Sequence, residues 1–147
     1  MMVHPADSKL SCALANATER ALAEAEIRLP TDVLAAIRRA AAAERNEVAR
    51  RELGHILENI ALAEDLQVPI CQDTGVPVVY LTLPPDIGLS PSIFLGVREG
   101  VRRATATIPL RPNVVDPVTR ENTGDNTGAE MPAVHVAPGD RLTVTVL

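Results

Sequence analysis

Hydrophobic residues recur at helical spacing through the first half of the chain, which predicts three helices. The first covers residues 9 to 28 and is ended by Pro30; its apolar positions are Leu10, Leu14, Ala17, Ala21 and Ile27. Thr31 is predicted to cap a second helix. That helix would bury Val33, Leu34, Ile37 and Ala41. Asn46 is predicted to cap a third, with an inward stripe of Leu53, Ile56, Leu57, Ile60 and Ala63.

The pattern changes in the second half, where residues 76 to 83 are rich in β-branched side chains and predict a strand. Ser90-Pro91 is a typical helix start, and the helix should run to about residue 106. Its apolar face is Ile93, Phe94, Val97, Val101 and Ala104, with a Glu99–Arg103 pair opposite. Residues 133 to 137 and 142 to 147 alternate as strands around a Pro138-Gly139-Asp140 turn. We therefore predict an α+β fold: N-terminal helices, then a small mixed or antiparallel sheet with one further helix.

Composition limits the class of protein. With 46% hydrophobic residues among 147, the chain can form one domain with a real core. One Phe, one Tyr and no Trp mean that Ala, Leu, Val and Ile must fill it. The net charge of −5 argues against a nucleic-acid partner. Arg98, Arg102 and Arg103 fall opposite the apolar stripe, so we interpret them as a solvated helix face.

The two cysteines and the N-terminal sequence point to the cytoplasm. The chain opens without a hydrophobic signal region and has no apolar run of about 18 residues, so we expect neither secretion nor a membrane span. We do not expect a Cys12–Cys71 disulfide, and interpret Cys12 as a small apolar filler in the first helix. His55 has no matching ligand four residues further on, which favours a surface side chain over a metal ligand.

Polar chemistry is concentrated first in Cys71-Gln72-Asp73-Thr74-Gly75, which carries a thiol, an amide, a carboxylate and a hydroxyl in sequence. Pro69 and Pro77 flank this motif, and each disfavours helix in the residue before it, so a rigid non-helical bend is predicted. Such a bend can direct all its side chains at one ligand. The alternative is an ordinary turn leading into a strand, with a buried structural cysteine and an aspartate bonded to backbone amides.

The second concentration lies between residues 109 and 128, where no regular structure is predicted. A loop of this length in a compact domain is functional or disordered, and the apolar residues threaded through it disfavour disorder. Arg111 lies between a leucine and a proline and suits bidentate binding of a carboxylate; the alternative is a salt bridge with Asp116 or Glu121. The Asn-Thr-Gly triplets at 122–124 and 126–128 either contact a ligand or form a turn repeat without one.

Together these motifs resemble the N-terminal part of the class I, iron–sulfur fumarate hydratases and the alpha subunit of the related L-tartrate dehydratases. The likeness runs in order from the second predicted helix to the C-terminus, whereas residues 1 to 30 are less distinctive. The segments that carry it are Glu58-Asn59, Pro69 to Gly75, Gly96 to Val101, Pro109 to Asn113, Asp116-Pro117 and Asn122 to Gly128.

The resemblance implies a hydro-lyase that interconverts fumarate and L-malate, intermediates of the tricarboxylic acid cycle, with a [4Fe–4S] cluster held by three cysteines. The iron without a protein thiolate acts as a Lewis acid. Cys71 matches the first cluster cysteine of the family and would be a metal ligand. Gln72 and Asp73 match residues that line the substrate pocket, and Arg111 matches an arginine that binds a substrate carboxylate. The resemblance assigns no general base to this chain.

Family alpha subunits continue beyond the position of Leu147 and supply two more cluster cysteines there. We therefore expect residues 1–147 to be a single domain, the N-terminal part of an alpha subunit whose C-terminal remainder is missing, and to be inactive alone. The expected partners are that remainder, a beta subunit or C-terminal domain, and a small dicarboxylate, within a homo- or hetero-oligomer.

Two alternatives remain for the function. The substrate could be L-tartrate or another 2-hydroxy dicarboxylate, although the forms of residues 111–113 and 125–128 look more like the fumarase side of the family. The chain could also be a non-catalytic fragment that binds a dicarboxylate or a partner subunit through an exposed sheet edge.

Overall fold

A computed structural model describes residues 5–73 and 75–147, and it confirms the predicted α+β fold. Thr74 of the first polar motif lies outside the described residues. Within these ranges the elements are α1 (Pro5–Ile27), α2 (Thr31–Ala43), α3 (Glu47–Leu66), β1 (Val78–Leu83), α4 (Pro91–Thr107), β2 (Ala133–Pro138) and β3 (Thr143–Val146). None of the helices described has the length and apolar content of a membrane span.

The core forms where α1 and α4 pack together on one face of the sheet. Aliphatic side chains from α1, α4 and the sheet fill it, as the near absence of aromatic residues requires. The most deeply buried of them are Leu14 of α1, Val79 and Leu81 of β1, and Ile93, Val97 and Val101 of α4. The α1–α4 contact is the largest between any two helices, so these helices are the platform behind the loops that follow.

Two glycines of α4 allow this close contact. A Cβ atom built at Gly96 would lie 2.5 Å from the carbonyl oxygen of Ser11, and one at Gly100 would lie 2.6 Å from that of Ala15. Both obstacles are backbone atoms of α1, which cannot swing aside as a side chain can. The separation between α1 and α4 is therefore set by the absence of side chains at these two positions.

We predict that Gly100→Ala destabilises the fold by about 1–3 kcal/mol, because the added methyl group overpacks the α1–α4 contact. This outweighs the better helix propensity of alanine. Thermal unfolding followed by circular dichroism measures the effect. Gly54→Ala is the matched control: an added Cβ on α3 meets nothing within 4 Å. It should be neutral or stabilising by up to about 1 kcal/mol. Equal melting temperatures for the two variants would contradict the close contact.

The sheet is mixed, with strand order β2-β1-β3. β1 pairs in parallel with β2 and antiparallel with β3. The two strands predicted on either side of the Pro138-Gly139-Asp140 turn both form, but they flank β1 and do not pair with each other. The first strand starts at Val78, two residues later than predicted. Buried and more exposed residues alternate along this strand. The exposed Tyr80 stacks on His135 of β2, with the ring centroids 4.9 Å apart.

Helices α2 and α3 pack mainly against each other. Asn46 caps α3 as predicted: its side chain accepts hydrogen bonds from the amides of Val48 and Ala49. The predicted Thr31 cap is wrong, because Pro30 occupies the cap position of α2 and no side chain caps it. The predicted buried face of α2 is also wrong, since no residue of this helix is buried. The α3 stripe is only partly buried, and Ile56 is 47% exposed.

Helix α4 starts at Pro91 as predicted, although Ser90 makes no side-chain cap hydrogen bond. Phe94 was predicted to be buried but is 40% exposed, because it borders a surface groove with Leu89 and Leu95. The predicted Glu99–Arg103 pair forms at 2.8 Å. Hydrogen bonds from Arg102 and then Arg103 hold the pKa of Glu99 at about 2.

Candidate active site

The bend after α3 is held at its start by two hydrogen bonds. The side-chain amide of Asn59 on α3 donates to the carbonyl oxygen of Ile70 at 2.8 Å. The amide of Ile70 donates to the carbonyl oxygen of Glu26 on α1 at 3.0 Å. Burial raises the pKa of the Glu26 side chain. The described residues of the 71–75 motif are non-helical, as the flanking prolines predict.

A third bond ties the end of the bend to the second polar segment. The side-chain amide of Asn113 donates to the carbonyl oxygen of Gly75 at 2.9 Å. Gly75 has φ +67°, a left-handed conformation that glycine adopts without steric cost. The two concentrations of polar residues, 38 positions apart in sequence at this bond, are therefore neighbours in space.

The bend and the second segment line one cavity of about 570 Å³. Three of the four predicted site residues, Cys71, Gln72 and Arg111, are on its wall. Val68, Pro69, Ile70 and Pro109 form the rest of the lining. Asp73, the fourth, belongs to the same bend but does not line the cavity. All four side chains are exposed, so the cavity is open to solvent in the part of the chain described.

The exposure of Cys71 bears on the alternative interpretation of the bend, in which the cysteine is buried. A buried structural cysteine is excluded, because the residue is exposed and its Sγ lies 3.6 Å from the carbonyl oxygen of Asp73. Cys12 is exposed as well, which corrects its assignment as an apolar filler of α1. Both thiols are free, as expected. Of the two, only Cys71 shares a cavity with other predicted site residues.

The segment between α4 and β2 is ordered without regular structure. Leu110 and Val114 anchor it in the core, and isolated bridges join Val115 to Asn122 and Gly128 to Met131. The Asp116 carboxylate accepts hydrogen bonds from the amides of Thr119 and Val118, which lower its pKa. These bonds form a local turn at residues 116–119.

The Asn-Thr-Gly triplets hold the segment that carries Arg111. The side-chain amide of Asn122 donates to the carbonyl oxygen of Pro112 at 2.7 Å. Asn126 binds the backbone of residues 111, 113 and 114. The sequence singled out both asparagines, but it gave no signal for their hydrogen-bond partners. Asn59 and Asn113 were likewise part of the motifs, but their role in holding the bend and the second segment emerges only from the hydrogen bonds of the folded chain.

No group of three or more His, Cys, Asp or Glu side chains in residues 5–73 and 75–147 is arranged to hold a metal ion. His55 lies on the surface of α3, with its Nδ1 atom 3.5 Å from a carboxylate oxygen of Glu52. It is an exposed side chain, as predicted, and it lies outside the cavity lining.

Comparison with known proteins agrees with these features. The family model described as fumarate hydratase (Fumerase) matches residues 15–147, which include the bend, the cavity and the whole second segment. The chain belongs to the fumarate hydratase family. The match starts within α1, so the family model includes part of this helix and all of α4. Residues 1 to 30 had carried little of the resemblance seen in the sequence.

Three relatives illustrate the breadth of the family. A Methanocaldococcus jannaschii protein named "Putative L(+)-tartrate dehydratase subunit alpha" is 45% identical over 77% of this chain and 40% of its own length. A Geobacillus stearothermophilus protein named "Putative fumarate hydratase class I" is 38% identical over 77% of this chain and 22% of its own length. An Escherichia coli "L(+)-tartrate dehydratase subunit alpha" is 31% identical over 81% of this chain and 40% of its own length. The chain thus spans less than half of each relative.

Proposed function

We propose that this chain forms one wall of the active site of a hydro-lyase that interconverts fumarate and L-malate. The observation that carries the proposal is the convergence of Cys71, Gln72 and Arg111 on one cavity from two separate segments. In the reaction, water adds across a carbon–carbon double bond: one carbon receives hydroxide and its neighbour a proton. Both substrate carboxylates remain charged throughout, so the site needs cationic and hydrogen-bonding groups.

Arg111 supplies the cation in this chain. Its planar guanidinium can bind a carboxylate with two parallel hydrogen bonds, which fixes the orientation of the substrate as well as its position. The side-chain amide of Gln72, on the same cavity wall, can donate a further hydrogen bond. The carboxylate of Asp73 can accept one from the substrate hydroxyl or from water once the substrate is bound next to the bend.

Cys71 fits a role as one ligand of a [4Fe–4S] cluster, because its free thiol is exposed at the cavity and can be reached by a metal centre. Bound there, the cluster supplies an iron with an open position that acts as a Lewis acid toward the substrate. One thiol cannot hold the cluster, and the described residues offer no further group of ligands. The remaining ligands must come from another part of the protein.

The open cavity also supports a partner. All four predicted site residues are exposed, whereas catalysis of this kind requires exclusion of bulk water. Two of the relatives above are named as alpha subunits. We propose that the rest of the alpha subunit, with a beta subunit or C-terminal domain, covers the cavity and completes it. The two free cysteines fit a location in the cytoplasm.

L-tartrate is the second candidate substrate, and the names of the tartrate dehydratase relatives favour it. Tartrate differs from malate by one additional hydroxyl group. A site built to bind that hydroxyl discriminates against malate by leaving its own polar groups unpaired.

The test uses the assembled enzyme, meaning this chain together with its proposed remainder and partner, reconstituted anaerobically with iron and sulfide. We expect hydration of fumarate to malate at least about tenfold more efficient, by kcat/KM, than dehydration of L-tartrate. A preference for tartrate would select the second substrate. An assembly with full cluster content that binds dicarboxylates but converts none of them would refute the hydro-lyase proposal.

A further inference from the structure

Asn126 is a buried polar residue with an unusual backbone conformation. It is 3% exposed, and its φ of +57° is in the left-handed region that few residues other than glycine and asparagine adopt. A buried amide is stable only if its polar atoms are hydrogen-bonded. Both polar atoms of the Asn126 side chain, Oδ1 and Nδ2, meet this condition.

The hydrogen bonds of Asn126 converge on the segment that carries Arg111. Its Oδ1 atom accepts from the amides of Asn113 at 2.7 Å and Val114 at 3.4 Å. Its Nδ2 atom donates to the carbonyl oxygen of Arg111 at 3.1 Å. A longer bond from Nδ2, at 3.3 Å, reaches the hydroxyl of Thr105 on α4. One side chain thus connects α4 to the backbone of residues 111 to 114.

These contacts fix the backbone from which the Arg111 side chain extends. The side chain of Arg111 is exposed and long, so the packed core does not fix its path. Its starting point is its own backbone, which Asn126 holds through the Arg111 carbonyl group. The same bonds hold Asn113, whose side chain fixes Gly75 at the end of the Cys71 bend. Asn126 therefore holds the backbone from which Arg111 extends toward the cavity.

We propose that Asn126 is a positioning residue that fixes Arg111 for binding a substrate carboxylate. The proposal rests on the proposed function, since it assumes that Arg111 binds a dicarboxylate. It adds a role for a residue that does not line the cavity and contacts no substrate. A displacement of about 1 Å in an active site can cost about a hundredfold in rate, so a small shift of Arg111 should weaken its contact with a substrate carboxylate.

The test measures binding of succinate, an unreactive dicarboxylate, to the assembled enzyme by calorimetry. Asn126→Gly removes the four hydrogen bonds while allowing the positive φ, so it isolates the loss of the side chain. We expect succinate affinity to fall about tenfold or more. Asn126→Asp keeps an acceptor for the Asn113 and Val114 amides but loses the donor to the Arg111 carbonyl. It also places a buried carboxylate oxygen against the Arg111 carbonyl oxygen, so its loss of succinate affinity should be at least as large as that of Asn126→Gly.

A double-mutant cycle separates positioning from general damage. If Asn126 acts through Arg111, Asn126→Gly should change succinate affinity by less than about twofold in an Arg111→Ala background. The control for stability is Asn46→Ala, which removes the cap of α3 and costs about 1 kcal/mol in stability without touching the segment. It should leave succinate affinity unchanged.

Hydrogen exchange provides a readout that does not depend on ligand binding. In Asn126→Gly the amides of Asn113 and Val114 lose their acceptor and should exchange faster, while those of α4 stay protected. Unchanged exchange at both amides would overturn the proposal. So would wild-type succinate affinity in Asn126→Gly, or an equal loss in the Arg111→Ala background. If the wild-type assembly bound no dicarboxylate, the proposed function would fail and this role with it, even with the exchange result as expected.

Discussion

Arg111→Ala should lower kcat/KM of the assembled enzyme by about thirty-fold or more. Removing one side of a desolvated charge pair costs roughly 2–5 kcal/mol, and a substrate carboxylate sealed in the covered cavity would lose its bidentate partner. Arg111→Lys should recover little of the loss, because an ammonium group restores the charge but cannot form the two parallel hydrogen bonds of a planar guanidinium. Steady-state kinetics with fumarate and malate, at equal cluster content, measure both variants.

The matched control is Arg50→Ala, which removes an exposed arginine of α3 that does not line the cavity. It should leave kcat/KM unchanged, which separates the loss of a site cation from a change in net charge. If Arg111→Ala stays within about threefold of the wild type, the carboxylate role fails and a structural role for this arginine is favoured. Gln72 and Asp73 would then be the remaining substrate contacts of this chain.

Cys71→Ala should abolish the cluster of the assembled enzyme, and with it the activity. Without this thiolate the proposed [4Fe–4S] centre would lack one of its protein ligands, so we expect it not to assemble. Iron and sulfide content, with Mössbauer spectroscopy, measure the result directly and do not depend on turnover. The 147-residue chain alone should hold no stable [4Fe–4S] centre, since it contains two cysteines and only one of them is at the cavity.

Cys12→Ala is the control for this experiment, because it removes the other exposed free thiol without changing the cavity. It should keep full cluster content. A stoichiometric cubane in the isolated chain, or full occupancy in Cys71→Ala, would show that this cysteine is not the ligand. An equal loss of iron in both cysteine variants would indicate a general sensitivity of the protein to thiol removal.

Apolar side chains are also exposed outside the cavity. Helix α2 has no buried residue, and apolar side chains such as Val48, Leu62 and Leu66 are exposed on α3. A second exposed apolar group borders the start of α4, formed by Leu89, Phe94 and Leu95. Exposed apolar surface of this kind marks interaction sites in soluble proteins.

The local elements and the residue types of the site could be predicted from the sequence. Helical periodicity located the helices, and the Asn46 cap was predictable because a cap depends on neighbours two and three residues away. The prolines around Cys71 fixed the bend for the same local reason. The sequence also singled out the 109–128 segment, since a loop of that length is expected to be functional or disordered and its apolar residues disfavour disorder.

The contacts of these elements could be seen only in the folded chain. Exposure of Cys12, Phe94 and the α2 face could not be deduced from periodicity, because an apolar stripe is buried only if another element covers it. The pairing of β1 with both later strands depends on a parallel crossover that no turn signal encodes. The same holds for Asn126. The Asn-Thr-Gly sequence around it predicts a turn, but its hydrogen bonds to the Arg111 segment form only when folding brings the two parts of the loop together.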